Sequence, residues 1–133
     1  MASCISLSVG LLFLCMLAGI HGATVKIWGL HARGLVGDPT THPDAYVKVS
    51  CGTISGGMTE FRRDEDDPSW RSQFTLEGVK AGTPLTLEVW DKDLNFDDHL
   101  GTCTIPLTYG THTNKSCYVR TGGTLYYSYT YSY

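Results

Sequence analysis

Apolar and polar residues alternate in short runs along this chain, and no segment settles into a sustained helical period. In Leu85-Thr86-Leu87-Glu88-Val89-Trp90 the apolar residues recur at every second position, the signature of a half-buried strand. Tyr46-Val47-Lys48-Val49 repeats the pattern. The segment from Leu125 to Tyr133 alternates almost perfectly, with Leu125, Tyr127, Tyr129 and Tyr131 on one face and Tyr126, Ser128, Thr130 and Ser132 on the other. Together the runs predict strands over 24–30, 44–50, 57–63, 70–76, 84–90, 100–105, 115–119 and 124–132. Glycines and prolines punctuate them, notably Gly34, Gly37, Pro68, Gly110 and Gly122-Gly123. Strands at this spacing argue for an all-β fold, an eight-stranded antiparallel sandwich. The tyrosine-rich face is either core or a ligand platform, and cross-strand packing is the simpler use of it.

The first 22 residues break this pattern. They carry no Asp, Glu, Lys or Arg, and Ile5 to Ile20 is mostly apolar before the small residues Gly19, Gly22 and Ala23. The run is short for a membrane span and reads as a secretory signal peptide, cleaved after Gly22. An uncleaved anchor is the alternative. Residues 23–133 then form one domain large enough to bury a core.

Charge adds a second signal. The formal net charge is −3 at pH 7, and the basic residues are dispersed without a Lys/Arg run, which excludes a nucleic-acid binder of the usual electrostatic kind. The acidic residues cluster instead. Asp91, Asp93, Asp97 and Asp98 crowd the end of one predicted strand, with Leu94 and Phe96 among them. Asp38 and Asp44 bracket the Pro39–Pro43 segment, and Asp64-Glu65-Asp66-Asp67 precedes another strand. Two unit charges about 4 Å apart repel by ~1 kcal/mol in water and ~4 kcal/mol at an effective dielectric of 20. A hard cation relieves that repulsion, and calcium takes about six to eight oxygen ligands. A solvated acidic turn is the alternative.

Three motifs in order resemble the C2 domain. They are Gly34-Leu35 with Asp38 and Pro43-Asp44-Ala45-Tyr46-Val47-Lys48-Val49, then Asp67-Pro68-Ser69-Trp70, then Trp90-Asp91-Lys92-Asp93 with Asp98-His99-Leu100-Gly101. The resemblance covers the chain after residue 22. Leu100-Gly101-Thr102-Cys103, with Cys117 downstream, is similar to the C2 domain of the perforin family. The first strand runs straight into the first acidic loop, so the resemblance implies the permuted (type II) topology, with all three loops at one edge of the sandwich. It implies calcium ligands at Asp38, Asp44, Asp91 and Asp93, with Asp98 as the last. The last interval is one residue shorter than the family pattern, so Asp97 replaces or joins Asp98, and one or two calcium ions are expected. Asp66 and Asp67 are expected to add negative potential rather than direct bonds to the ion. The implied function is calcium-dependent phospholipid binding by a secreted module in a defence setting, docking without perforating. Val36, Leu94 and Phe96 are expected either to contact the membrane or to seal the sandwich end. An extracellular protein-interaction module, with calcium only rigidifying the loops, is the alternative.

With Cys4 and Cys15 in the leader, Cys51, Cys103 and Cys117 remain. A Cys103–Cys117 disulfide across a hairpin around Thr108-Tyr109-Gly110-Thr111 is expected. Cys51 is left as a buried thiol or as the link of a disulfide-bonded dimer. Asn114-Lys115-Ser116 is an N-glycosylation sequon. His42 and His99 are expected on exposed loops. With no Gly-x-Ser-x-Gly, His-Glu-x-x-His or Cys-x-x-Cys arrangement in the sequence, the chain is expected not to be an enzyme.

Overall fold

The computed structural model describes residues 22–38 and 40–133. The expected leader therefore lies, apart from Gly22, outside the described residues. Eight strands form: β1 (Ala23–Arg33), β2 (Ala45–Cys51), β3 (Ile54–Met58), β4 (Phe74–Val79), β5 (Leu85–Asp91), β6 (Asp98–Ile105), β7 (Gly110–Tyr118) and β8 (Thr124–Ser132). They make two four-stranded antiparallel sheets, ordered β4-β1-β8-β7 and β3-β2-β5-β6. This is the expected sandwich. The connectivity is also as expected, because β1 lies inside its sheet and its end feeds loop one. Among the described residues no helix is long and apolar enough to cross a membrane.

The core follows the alternation. Leu85, Leu87 and Val89 of β5 are buried against Val25, Ile27, Val47, Val49 and Leu125 in one cluster. On β8 the face carrying Leu125, Tyr127, Tyr129 and Tyr131 is buried, so the tyrosine ladder is core. Tyr126, on the other face, stacks on His31 with ring centroids 4.8 Å apart.

β1 shows how the pattern is re-phased. Val25 and Ile27 are buried, and so are Leu30 and Ala32, although the two pairs differ in parity. A bulge between Trp28 and His31 adds one residue relative to β8 and restores the inward phase. Gly29 sits in it with φ of +66°, a conformation that suits glycine.

Several boundaries move, most of all at the third, fourth and seventh strands. The third strand ends at Met58, and residues 59–62 follow β2 only irregularly, through Thr59 N–H to Val47 C=O and Arg62 N–H to Ala45 C=O, each at 2.9 Å. The fourth strand starts at Phe74, because Trp70 is a buried loop anchor. Its N–H donates to Leu30 C=O at 2.9 Å, and its Nε1–H donates to Ala45 C=O at 3.2 Å. The seventh strand begins at Gly110, pairing with almost the full length of β8.

The disulfide also differs from expectation. Cys103 and Cys117 are bonded, with Cα atoms 6.2 Å apart, but β6 and β7 belong to opposite sheets. The segment between them is a crossover, not a hairpin, and the bond fastens one sheet to the other. Cys51 is 1% exposed, out of reach of a second chain, and burial pushes its thiol up to about 11. The buried-thiol reading fits this position, and the intermolecular bridge does not.

Candidate metal-binding loops

Loop one (34–38 and 40–44), loop two (59–73) and loop three (92–97) meet at one end of the sandwich because the strands that hold them are neighbours or face each other. Hydrogen bonds fix the loops to one another. Gly34 N–H donates to Asp67 Oδ1 at 2.8 Å, and Leu35 N–H to Asp66 C=O at 2.9 Å. Lys92 N–H donates to Asp44 C=O at 2.9 Å, and Asp64 N–H to Asp44 Oδ1 at 2.7 Å. A fourth segment, the β7–β8 turn, joins them: Thr121 Oγ1–H donates to Val36 C=O at 2.9 Å. Gly122-Gly123 had marked the turn in the sequence, but not its place among the acidic loops.

The expected acidic residues sort into distinct places. Asp38, Asp93 and Asp98 are exposed, and each offers a carboxylate oxygen within 4.8 Å of the others. Calcium–oxygen bonds of about 2.3–2.6 Å allow ligand atoms on one ion to lie up to roughly 4.6–5.2 Å apart. The cluster therefore has dimensions that suit a hard cation. Asp91 lies behind it, only 6% exposed at the end of β5. Its Oδ1 accepts the Asp44 N–H at 2.8 Å. Burial raises the Asp91 carboxyl above its ordinary range, that hydrogen bond opposes the rise, and the charges of Asp38, Asp44 and Asp98 add to it. Asp44 turns a carboxylate oxygen to the Asp64 N–H, bracing loop two.

Asp97 stands apart. It accepts hydrogen bonds from the Tyr46 hydroxyl and the Asp93 N–H, and Lys92 Nζ approaches to 4.0 Å. These partners, led by Tyr46, hold its carboxyl below its ordinary range. They make it a brace of loop three, while Asp98 sits in the cluster. Asp66 and Asp67 brace the loops: Asp67 tethers Gly34, and Asp66 Oδ1 lies 2.9 Å from His42 Nδ1. His42 is exposed in loop one, as expected. His99 is not on a loop. It lies on β6, half-buried, with its ring centroid 5.0 Å from that of Trp90.

The roles of two residues essential to this geometry are not carried by the sequence pattern. Gly37 leaves no room for a side chain, since a Cβ there would lie 2.6 Å from Asp91 Oδ2 and 3.0 Å from Pro43 Cβ. Tyr46 is a strand residue whose partner, Asp97, lies far along the chain. At the rim, Leu94 is 99% exposed and Phe96 84%, with Val36 also exposed. None of the three seals the sandwich end.

Such a sandwich, with acidic loops gathered at one end, defines a C2 domain. The C2 domain family model matches residues 23–119, and the chain belongs to that family. Its relatives include perforin-1. Over 86 residues it is 37% identical to perforin-1 of Rattus norvegicus, covering 61% of this chain and 15% of that protein. Over 96 residues it is 36% identical to perforin-1 of Homo sapiens, covering 68% of this chain and 17% of that protein. One solved C2 domain structure aligns with a TM-score of 0.79 at 38% identity, covering 84% of this chain and 99% of that one. The C2A domain of plant Extended Synaptotagmin 1 aligns with a TM-score of 0.74, covering 84% of this chain and 95% of that one. At 18% identity the second likeness speaks for the fold alone.

Proposed function

We propose that this chain is an exported, calcium-dependent phospholipid-binding module that docks on membranes through loops one and three. The observation that carries the reading is the juxtaposition at one end of the sandwich. Asp38, Asp93 and Asp98 converge within 4.8 Å, and loop three also exposes Leu94 and Phe96. Asp38, Asp93 and Asp98 would hold a first calcium ion, with Asp44 and Asp91 adjacent for completing its shell or for a second. Bound calcium supplies a positive charge that the acidic loops lack, with open coordination positions for lipid phosphate oxygens. The domain's own side chains supply the rest. The cluster neutralises on ion binding, and Leu94, Phe96 and Val36 enter the headgroup region. Burying one Phe or Leu contributes about 1.5–3 kcal/mol.

Export is the setting in which the N-terminal apolar segment, the disulfide and the calcium supply agree. The cluster is exposed, so we expect extracellular-type affinity, on the order of 10^-4 to 10^-3 M. The part shared with perforin-1 is a small share of that protein, and docking alone, in a defence setting, is the role proposed. Catalysis has no place in it. Calorimetry tests the metal site: calcium should bind the wild type and not an Asp91→Asn, Asp93→Asn double variant. An unchanged isotherm in that variant would put the site elsewhere.

A further inference from the structure

β7 is the outer strand of its sheet. It pairs with β8 on one side and with no other strand among the described residues. Its residues are almost all exposed. A free edge of this length offers N–H and C=O groups to the edge of another chain, and folded proteins normally blunt such edges. Here the ladder is broken once, by a bulge between His112 and Lys115. Asn114 sits in the bulge with φ of +50°, the left-handed region that Asn tolerates better than most residues. Its N–H is satisfied by Ser128 Oγ at 2.9 Å, and residues 113–116 are exposed. The backbone thus accounts for an Asn at 114. It does not account for a hydroxyl two residues later, yet Ser116 completes an N-glycosylation acceptor sequence.

We infer that Asn114 carries an N-linked glycan and that this glycan shields the β7 edge from a second copy of the chain. The inference rests on the export reading, since the donor, a lipid-pyrophosphate-linked oligosaccharide, belongs to the secretory route. In the transfer, a bond forms between Asn114 Nδ2 and C1 of the first sugar. The C1–oxygen bond to pyrophosphate breaks, its electron pair stays with the pyrophosphate, and the amide gives up one proton to the base of the transferring enzyme. At the bulge Asn114 is outside the regular ladder, so a bulky substituent displaces no strand hydrogen bond. It would stand in the path of an incoming strand.

The full chain expressed in eukaryotic secretory cells gives the test. Protein from the medium should run faster after peptide N-glycosidase treatment. Ser116→Ala should remove that shift and Ser116→Thr should keep it. The enzyme leaves Asp at 114, which also tolerates the left-handed region, so the folded edge is bared without strain. The treated protein should then dimerise with rising concentration in sedimentation velocity, where the untreated protein stays monomeric. Protein in the medium that the enzyme leaves unshifted overturns the glycan while export stands. Protein confined to the cytosol overturns export and the glycan with it. A treated protein that stays monomeric at every concentration overturns the shielding.

Discussion

The backbone N–H of Asp44 donates to Oδ1 of Asp91 at 2.8 Å, tying the exit of loop one to the end of β5. This bond offsets part of the cost of holding Asp91 buried beside other carboxylates, and what remains keeps its carboxyl raised above 3.8. A carboxyl raised on folding binds its proton more tightly in the folded state. Its contribution to stability is therefore present below the ordinary value and lost as pH rises through the raised one. In metal-free buffer, wild type should gain melting temperature relative to Asp91→Asn as pH falls through that window. Parallel curves for the two proteins would contradict the assignment.

The rim side chains make a separate prediction. Leu94 and Phe96 are exposed and contribute nothing to the core. Replacing both with Ser should leave the melting temperature and the solution calcium affinity nearly unchanged. Vesicle affinity should fall by about 3 kcal/mol or more, the sum of two lost insertions. A lower melting temperature with unimpaired vesicle binding would leave calcium bridging as the membrane contact.

Gly37 tests the close packing behind the cluster. A methyl group there meets the Asp91 carboxylate and Pro43. Gly37→Ala should cost about 1–3 kcal/mol in stability, as overpacking does. It should also weaken calcium binding, because Asp91 must shift. Calcium titration of the folded variant by calorimetry checks the second effect, and wild-type affinity would show that loop one yields instead.

The sheet-to-sheet disulfide predicts the thiol chemistry. Reducing Cys103–Cys117 should destabilise the domain by about 2–4 kcal/mol. Cys51 should resist alkylation until the protein unfolds, given its burial and a thiol pushed up to about 11. Denaturant unfolding with and without reductant reads the first, and non-reducing peptide mapping with alkylation before and after denaturation reads the second. A peptide linking Cys51 to Cys103 or Cys117 would be incompatible with this core.

The strands were legible because alternation is a local property. Leu85 to Trp90 and Leu125 to Ser132 announce themselves in six and eight residues. Where strand and burial part company, the pattern misleads. Trp70 is apolar and buried, but it anchors a loop, so the predicted strand there began early. Asp38, Asp93 and Asp98 could be nominated because their residue type and loop positions carry the signal. That Asp97 braces loop three while Asp98 joins the cluster could not, because it turns on Tyr46, far away in sequence and brought close only by β2–β5 pairing. The cysteines could be paired from sequence. That their bond crosses the sandwich depends on which sheet β7 joins, which no short pattern encodes.

Co-sedimentation with anionic phospholipid vesicles, run across a calcium series and in chelator, tests the central claim most directly. Wild type should pellet with the vesicles only when calcium is present, with a midpoint on the order of 10^-4 to 10^-3 M. The Asp91→Asn, Asp93→Asn double variant should stay in the supernatant throughout. Equal pelleting of wild type in calcium and in chelator, or pelleting of the double variant at the wild-type midpoint, would contradict calcium-dependent docking through these loops.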